Sequence, residues 1–132
     1  MNKLHILGRV LAGFVALFVL VSGLGMMFNP TGLLGGLALT PDGVVGYSSL
    51  RGLIGGSQVA FGIVFAYAAW RGRAEAIFLG VLYFGAVVVG RIIGLGVDGV
   101  EPFSIRATVF ASVFLFISLG SFTLLRRKES IA

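Results

Sequence analysis

Cysteine is absent from the chain, which excludes disulfides, thiolate nucleophiles and thiol-ligated metals. Histidine is nearly absent too: with His5 alone, a histidine metal centre or a nucleophile–base–acid triad needs a second chain. Charge is scarce, at 11% of the 132 residues, where an average soluble domain carries about 25%. Acid is scarcest of all. The five carboxylates all lie near the ends of apolar runs and none lies within one, so no mid-depth group is available for proton coupling. What fills the space is apolar: 58% of the residues, with a mean hydropathy of +1.06. The net charge of +5 does not point to nucleic acid, because the basic residues are scattered at the ends of the apolar runs, where they read as topology signals. Neither a metal nor a cofactor is expected.

Three uncharged runs of 19 residues, 10–28, 52–70 and 107–125, are joined by a fourth, 76–97, broken only by Arg91. About 20 helical residues cross a hydrocarbon core of about 30 Å, and lipid offers no partner to an unpaired backbone group. The chain therefore reads as all-α, a single domain over 1–132 that forms a polytopic bundle of four transmembrane helices at 6–28, 47–70, 75–97 and 105–125. The first run carries Lys3 ahead of it and Val21-Ser22-Gly23 late in it, which gives it some look of a cleavable leader. It is long for one and reads as the first membrane helix.

Seven of the ten Lys and Arg residues (Lys3, Arg9, Arg71, Arg73, Arg126, Arg127, Lys128) fall on one side of a four-crossing chain. The two loops on the other side hold Asp42, Asp98 and Glu101 and no basic residue. The excess of Lys and Arg predicts both termini in the cytoplasm, with Trp70 at the interface beside Arg71. Residues 29–43 are too apolar for an ordinary solvated loop; Leu33, Leu34, Leu37 and Leu39 predict a short helix or hairpin over the outer face of the bundle. Thr40-Pro41 has the form of an N-cap followed by proline at the first helical position.

Twenty-one glycines invite comparison with phosphate-binding loops, but no P-loop or dinucleotide fingerprint is present and no strand precedes one. Gly52 and Gly56 are four apart, as are Gly90 and Gly94, a spacing that lets membrane helices approach closely, within one chain or between subunits. Gly55 and Gly62 belong to the same packing set. A small and polar stripe, Ser48, Arg51, Gly55, Gln58 and Gly62, runs down the second helix, and opposing it to the face of the third helix that carries Gly80, Phe84, Val87, Arg91 and Gly94 would make a pocket narrowing toward Gln58.

Arg51, Arg91 and Arg106 converge on one layer: Arg91 lies 16 residues beyond Glu75, about 24 Å along a helix. Asp98, Glu101 and Asp42 are the acids at that level. An arginine at membrane depth costs about 2.5–3.5 kcal/mol on insertion scales unless it snorkels or pairs. Three readings are open: a structural network of ion pairs among Arg51, Arg91, Arg106, Asp98 and Glu101, suited to an accessory or assembly subunit; a site for a lipophilic or anionic small molecule, such as a lipid, a quinone or a fatty acid, with Phe61, Phe65, Phe84, Phe110 and Phe114 as its walls; or a small transporter or channel. The absence of an embedded carboxylate weighs against the third, and enzyme chemistry is not expected because no nucleophile has a base beside it.

Asn29-Pro30, Arg51-Gly52 with Gly55-Gly56, and Gly90-Arg91-x-x-Gly94 followed by Asp98-Gly99-x-Glu101-Pro102 resemble a domain-of-unknown-function family of small bacterial four-helix integral membrane proteins. The resemblance runs from the first helix to the start of the fourth. It implies a multi-pass protein of the bacterial inner membrane with no assigned activity, and it singles out Arg51, Arg91 and Asp98. More distantly the architecture is similar to DoxX-like proteins, some of which are accessory subunits of redox complexes, an analogy of fold alone. Expected partners are the lipid bilayer, a lipid-like or quinone-like ligand at the charged layer, and a second copy or a larger membrane complex.

Overall fold

The computed structural model describes residues 3–37 and 39–129, with side chains as far as Arg127. Lys128 of the topology count thus lies outside the described side chains. The elements are α1 (Lys3–Phe28), α2 (Pro30–Leu37), α3 (Gly43–Arg71), α4 (Ala74–Val97) and α5 (Pro102–Glu129). No strand occurs among the described residues. Four of these helices, all but α2, are long and apolar enough to cross a bilayer, which makes the chain a multi-pass membrane protein.

Proline and glycine set the boundaries. Pro30 ends α1 and opens α2, where a missing N–H is harmless. Pro102 opens α5 in the same way, with the Glu101 carbonyl accepting the Ile105 N–H at 3.1 Å. Gly72 takes the left-handed conformation (φ 66°) that closes α3, its N–H donating to Ala68 O at 2.7 Å. One sequence expectation is corrected. The N-cap of α3 is Asp42 and not Thr40: the Asp42 carbonyl accepts the Gly46 N–H at 3.0 Å, and the positive φ of Gly43 (55°) turns the chain into the helix, leaving Pro41 outside it against Gly46.

The four long helices run alternately up and down. α1 packs on α3 and α5, α4 packs on α5, and the α4–α3 seam is thinner. The core between them is small-sided on α1 (Ala12, Val15, Ala16, Val19) and filled from the other helices by Phe65, Ile77, Phe84 and Phe114. Outside it stand large apolar residues exposed on every long helix, among them Leu17, Leu53, Val89 and Phe116, the surface a bilayer would cover.

α1 and α3 approach backbone to backbone. A Cβ placed on Gly23 would lie 3.0 Å from Gly55 O and 2.8 Å from Val59 N, and one on Gly62 would lie 3.0 Å from Leu20 N. Two arginines lock the pair at opposite ends. Arg9, near the start of α1, donates from Nε to Ala69 O and from Nη2 to Trp70 O, each at 2.6 Å, and so satisfies carbonyls that the end of α3 leaves unpaired. Arg51, in the distal part of α3, donates from Nη1 to Met27 O at the end of α1. Each guanidinium also meets the negative pole of the partner helix. Since hydrogen bonds involving a charged group contribute about 1.5–3 kcal/mol each and Arg9 is partly exposed, Arg9→Ala should cost about 2 kcal/mol. Thermal unfolding in detergent checks this; a melting curve unchanged by the substitution would mean that solvent replaces the contact.

Within α3, residues Leu50–Gly56 form a π-helix. The wider turn falls where three glycines, Gly52, Gly55 and Gly56, leave the helix without side-chain support, at the level where Arg51 reaches α1. At this level α3 packs on α1 and has little contact with α4. The bundle is therefore open on one side in its distal half, the half away from the chain termini.

Candidate functional site

The opening is a cavity of about 450 Å³, within the range of about 300–1,000 Å³ that small-molecule sites occupy. All five helices contribute to its lining, α2 through Gly36 and Leu37, which cover it on one side. Its walls are largely aromatic. Phe18 of α1 and Phe114 of α5 meet at 4.5 Å between ring centroids, Phe110 and Phe114 at 5.0 Å, and Phe84 of α4 stacks on Phe114 at 5.6 Å. Beyond these rings lies the packed core around Phe65 and Ile77, both fully buried, which closes the cavity toward the terminal end of the bundle.

Two arginines stand in the lining, Arg91 from α4 and Arg106 from α5. Among the described residues neither takes part in an ion pair. Arg106 makes one long hydrogen bond within its own helix, Nε to Pro102 O at 3.4 Å, which leaves its terminal nitrogens available. Arg91 also borders a smaller recess of about 240 Å³ with Gly94, Asp98 and Ser104. Asp98 is near but does not neutralise it, and Glu101 is exposed at the head of α5. The expected network of ion pairs is therefore not closed among the described residues: Asp98 and Glu101 are both exposed, at the C-terminal end of α4 and the head of α5.

The polar groups at the inner part of the cavity are uncharged. Gln58 of α3 accepts a hydrogen bond at Oε1 from Ser22 Oγ of α1 (3.0 Å), and both residues line the cavity. Tyr83 of α4 lines it as well, its hydroxyl beside the Ser57 side chain and its ring stacked on Phe61 at 4.1 Å. Tyr83, Val87 and Arg91 follow one face of α4, so Tyr83 lies eight residues deeper than Arg91, about 12 Å along the axis.

The residues singled out in the sequence thus divide. Arg91, Arg106 and Gln58 are brought to one cavity. Arg51 is not in its lining; it caps α1. The stripe through Gly55, Gln58 and Gly62 turns toward α1 and not toward α4 as the sequence had suggested, because Gly23 and Leu20 of α1 need that bare backbone. A Cβ added at Gly52 or Gly90 would meet nothing within 4 Å, at Gly56 only its own helix, and at Gly94 only Asp98 at 3.5 Å, so among the described residues these four do no packing between helices. Of the five phenylalanines named as walls, Phe84, Phe110 and Phe114 line the cavity, Phe61 backs Tyr83, and Phe65 is core.

Sequence reasoning passed over Phe18, Ser22 and Tyr83. Ser22 had a usable signal, as an uncharged polar residue deep in an apolar span, the counterpart of Gln58 in the next one.

A family model described as a domain of unknown function, DUF4345, matches residues 7–122. No curated protein and no solved structure matches the chain. The family match takes in all of the cavity's lining, Arg91, Arg106 and Gln58 among it, together with both locking arginines. By this coverage the chain belongs to the DUF4345 family.

Proposed function

We propose that the protein is a non-enzymatic binder of an anionic amphiphile, held with its head on Arg91 and Arg106 and its apolar body against Phe18, Phe84, Phe110 and Phe114. The observation that carries this reading is the pair of arginines, in no ion pair among the described residues, on the lining of one aromatic cavity. Guanidinium groups match carboxylate and phosphate in a planar fork, and intramembrane cations without a protein partner mark function by default. Fatty acids, single-chain lipids and quinones with an ionisable head are the class. The packed core beyond the cavity supports binding over conduction. Saturable binding of radiolabelled oleate to the detergent-purified chain, lost in Arg91→Gln/Arg106→Gln, is the expected result; binding equal in both forms would remove the arginines from the site.

We further infer that the protein sits in a bacterial inner membrane with both termini cytoplasmic, so that the cavity lies in the outer half of the bilayer. The concentration of Lys3, Arg9, Arg71, Arg73, Arg126 and Arg127 at one end supports this. A reporter fused after Arg127 that is active only in the cytoplasm should be active; activity of a periplasmic reporter there would reverse the orientation. A second reading, an accessory subunit of a larger membrane complex, is favoured by Gly52 and Gly90, where an added Cβ meets nothing within 4 Å among the described residues.

A further inference from the structure

The cavity is polar at two separated levels, and the lower one has capacity to spare. At the upper level are Arg91 and Arg106. At the lower, Ser22 occupies the carbonyl oxygen of the Gln58 carboxamide, which leaves the carboxamide N–H donors with no partner among the described residues. A carboxamide has two such donors, and a polar group at membrane depth that lacks an acceptor is costly. Between the levels the lining is hydrocarbon and aromatic: Phe84, Val87, Ala107, Phe110 and Ala111. A plain hydrocarbon chain would satisfy the arginines and then bury the Gln58 donors against methylene groups.

We propose that the ligand is an amphiphile with two polar points, an anionic head for Arg91 and Arg106 and an oxygen acceptor, hydroxyl or carbonyl, about 12 Å further along its body for the Gln58 carboxamide. This rests on the amphiphile-binding reading and specifies it: the arginines set that an anion binds, and Gln58, ordered by Ser22, selects chains that carry an internal oxygen. Tyr83, whose hydroxyl stands beside Ser57, lines the cavity at the same level. Selection by a buried polar group is sharper against a chain that lacks the matching atom than against one of different length, because the protein donors are then left unpaired.

The test compares oleate with ricinoleate, a fatty acid of the same length that bears a mid-chain hydroxyl, in competition against radiolabelled oleate on the purified full-length chain. Ricinoleate should bind about fivefold more tightly to the wild type, the size expected of one net hydrogen bond. Gln58→Leu should remove the preference, so that ricinoleate binds no more tightly than oleate; oleate binding at or above the wild-type level, since no donors are then left unpaired, also shows that the variant is folded. Equal binding of the two acids by the wild type would overturn the selection by Gln58 while the arginine site stands. If neither acid binds the wild type, the amphiphile reading falls and this inference falls with it.

Discussion

Gly23→Leu should destabilise the protein by about 3 kcal/mol or more, the upper part of the range for forcing bulk into a close-packed site. A side chain there meets main chain and not the movable tip of another residue: its Cβ would stand 2.8 Å from Val59 N and 3.0 Å from Gly55 O. Relief requires α1 and α3 to separate. Separation would draw Met27 O from Arg51 and pull Ser22 from Gln58, so the damage extends from the packing seam to the distal lock and the cavity floor. Gly90→Leu is the matched control. Among the described residues nothing lies within 4 Å of a Cβ at Gly90, and a substitution that touches nothing usually changes stability by less than about 0.5 kcal/mol. Melting temperatures in one detergent, read by circular dichroism, check both. A loss at Gly90→Leu as large as that at Gly23→Leu would show that another chain occupies that face in the purified protein, as an accessory-subunit role requires.

The second large effect is at the arginines, where function and stability should move in opposite directions. Charge-assisted hydrogen bonds contribute about 1.5–3 kcal/mol each, so Arg91→Gln/Arg106→Gln should weaken binding of an anionic amphiphile by at least about a hundredfold. The ligand-free protein should not suffer. Among the described residues neither guanidinium is in an ion pair, and taking an unpaired cation out of the membrane removes a cost. The double variant should therefore melt at or above the wild-type temperature without ligand and gain nothing when ligand is added, whereas the wild type gains with ligand concentration. A structural arginine should behave otherwise: Arg9→Ala should lower the melting temperature and leave affinity unchanged. A double variant that melts well below the wild type would place Arg91 and Arg106 with Arg9 as parts of the scaffold.

The four spans were legible because they depend on a one-dimensional quantity, apolar length against bilayer thickness, and on the cost of an unpaired backbone in lipid. The apolar segment after the first span was legible for a related reason, and it forms α2 over the cavity. Gln58, Arg91 and Arg106 could be picked out because polar residues are rare in such helices. What could not be read was facing. Arg51 and Arg91 look alike in sequence, yet Arg51 reaches a helix end and Arg91 lines a cavity, and which does which depends on α1 ending beside α3. The glycines were ambiguous in the same way. Gly52 and Gly55 are three residues apart, but only Gly55 is pressed against α1, and the π-helix over Leu50–Gly56 changes the periodicity on which a helical-wheel count relies. Asp98 and Glu101 suggested ion pairs by level alone. Both are exposed and form no ion pair among the described residues, which hydropathy does not record.

Native mass spectrometry of the chain released from mild detergent, wild type beside Arg91→Gln/Arg106→Gln, tests the central claim most directly. The account predicts a wild-type population carrying one small acidic amphiphile, identified after release by its mass and absent from the double variant, with both proteins equally folded. A wild type that carries no such mass and takes up none of the added oleate, beside a double variant that has lost its fold, would contradict it and leave the arginines as structural elements.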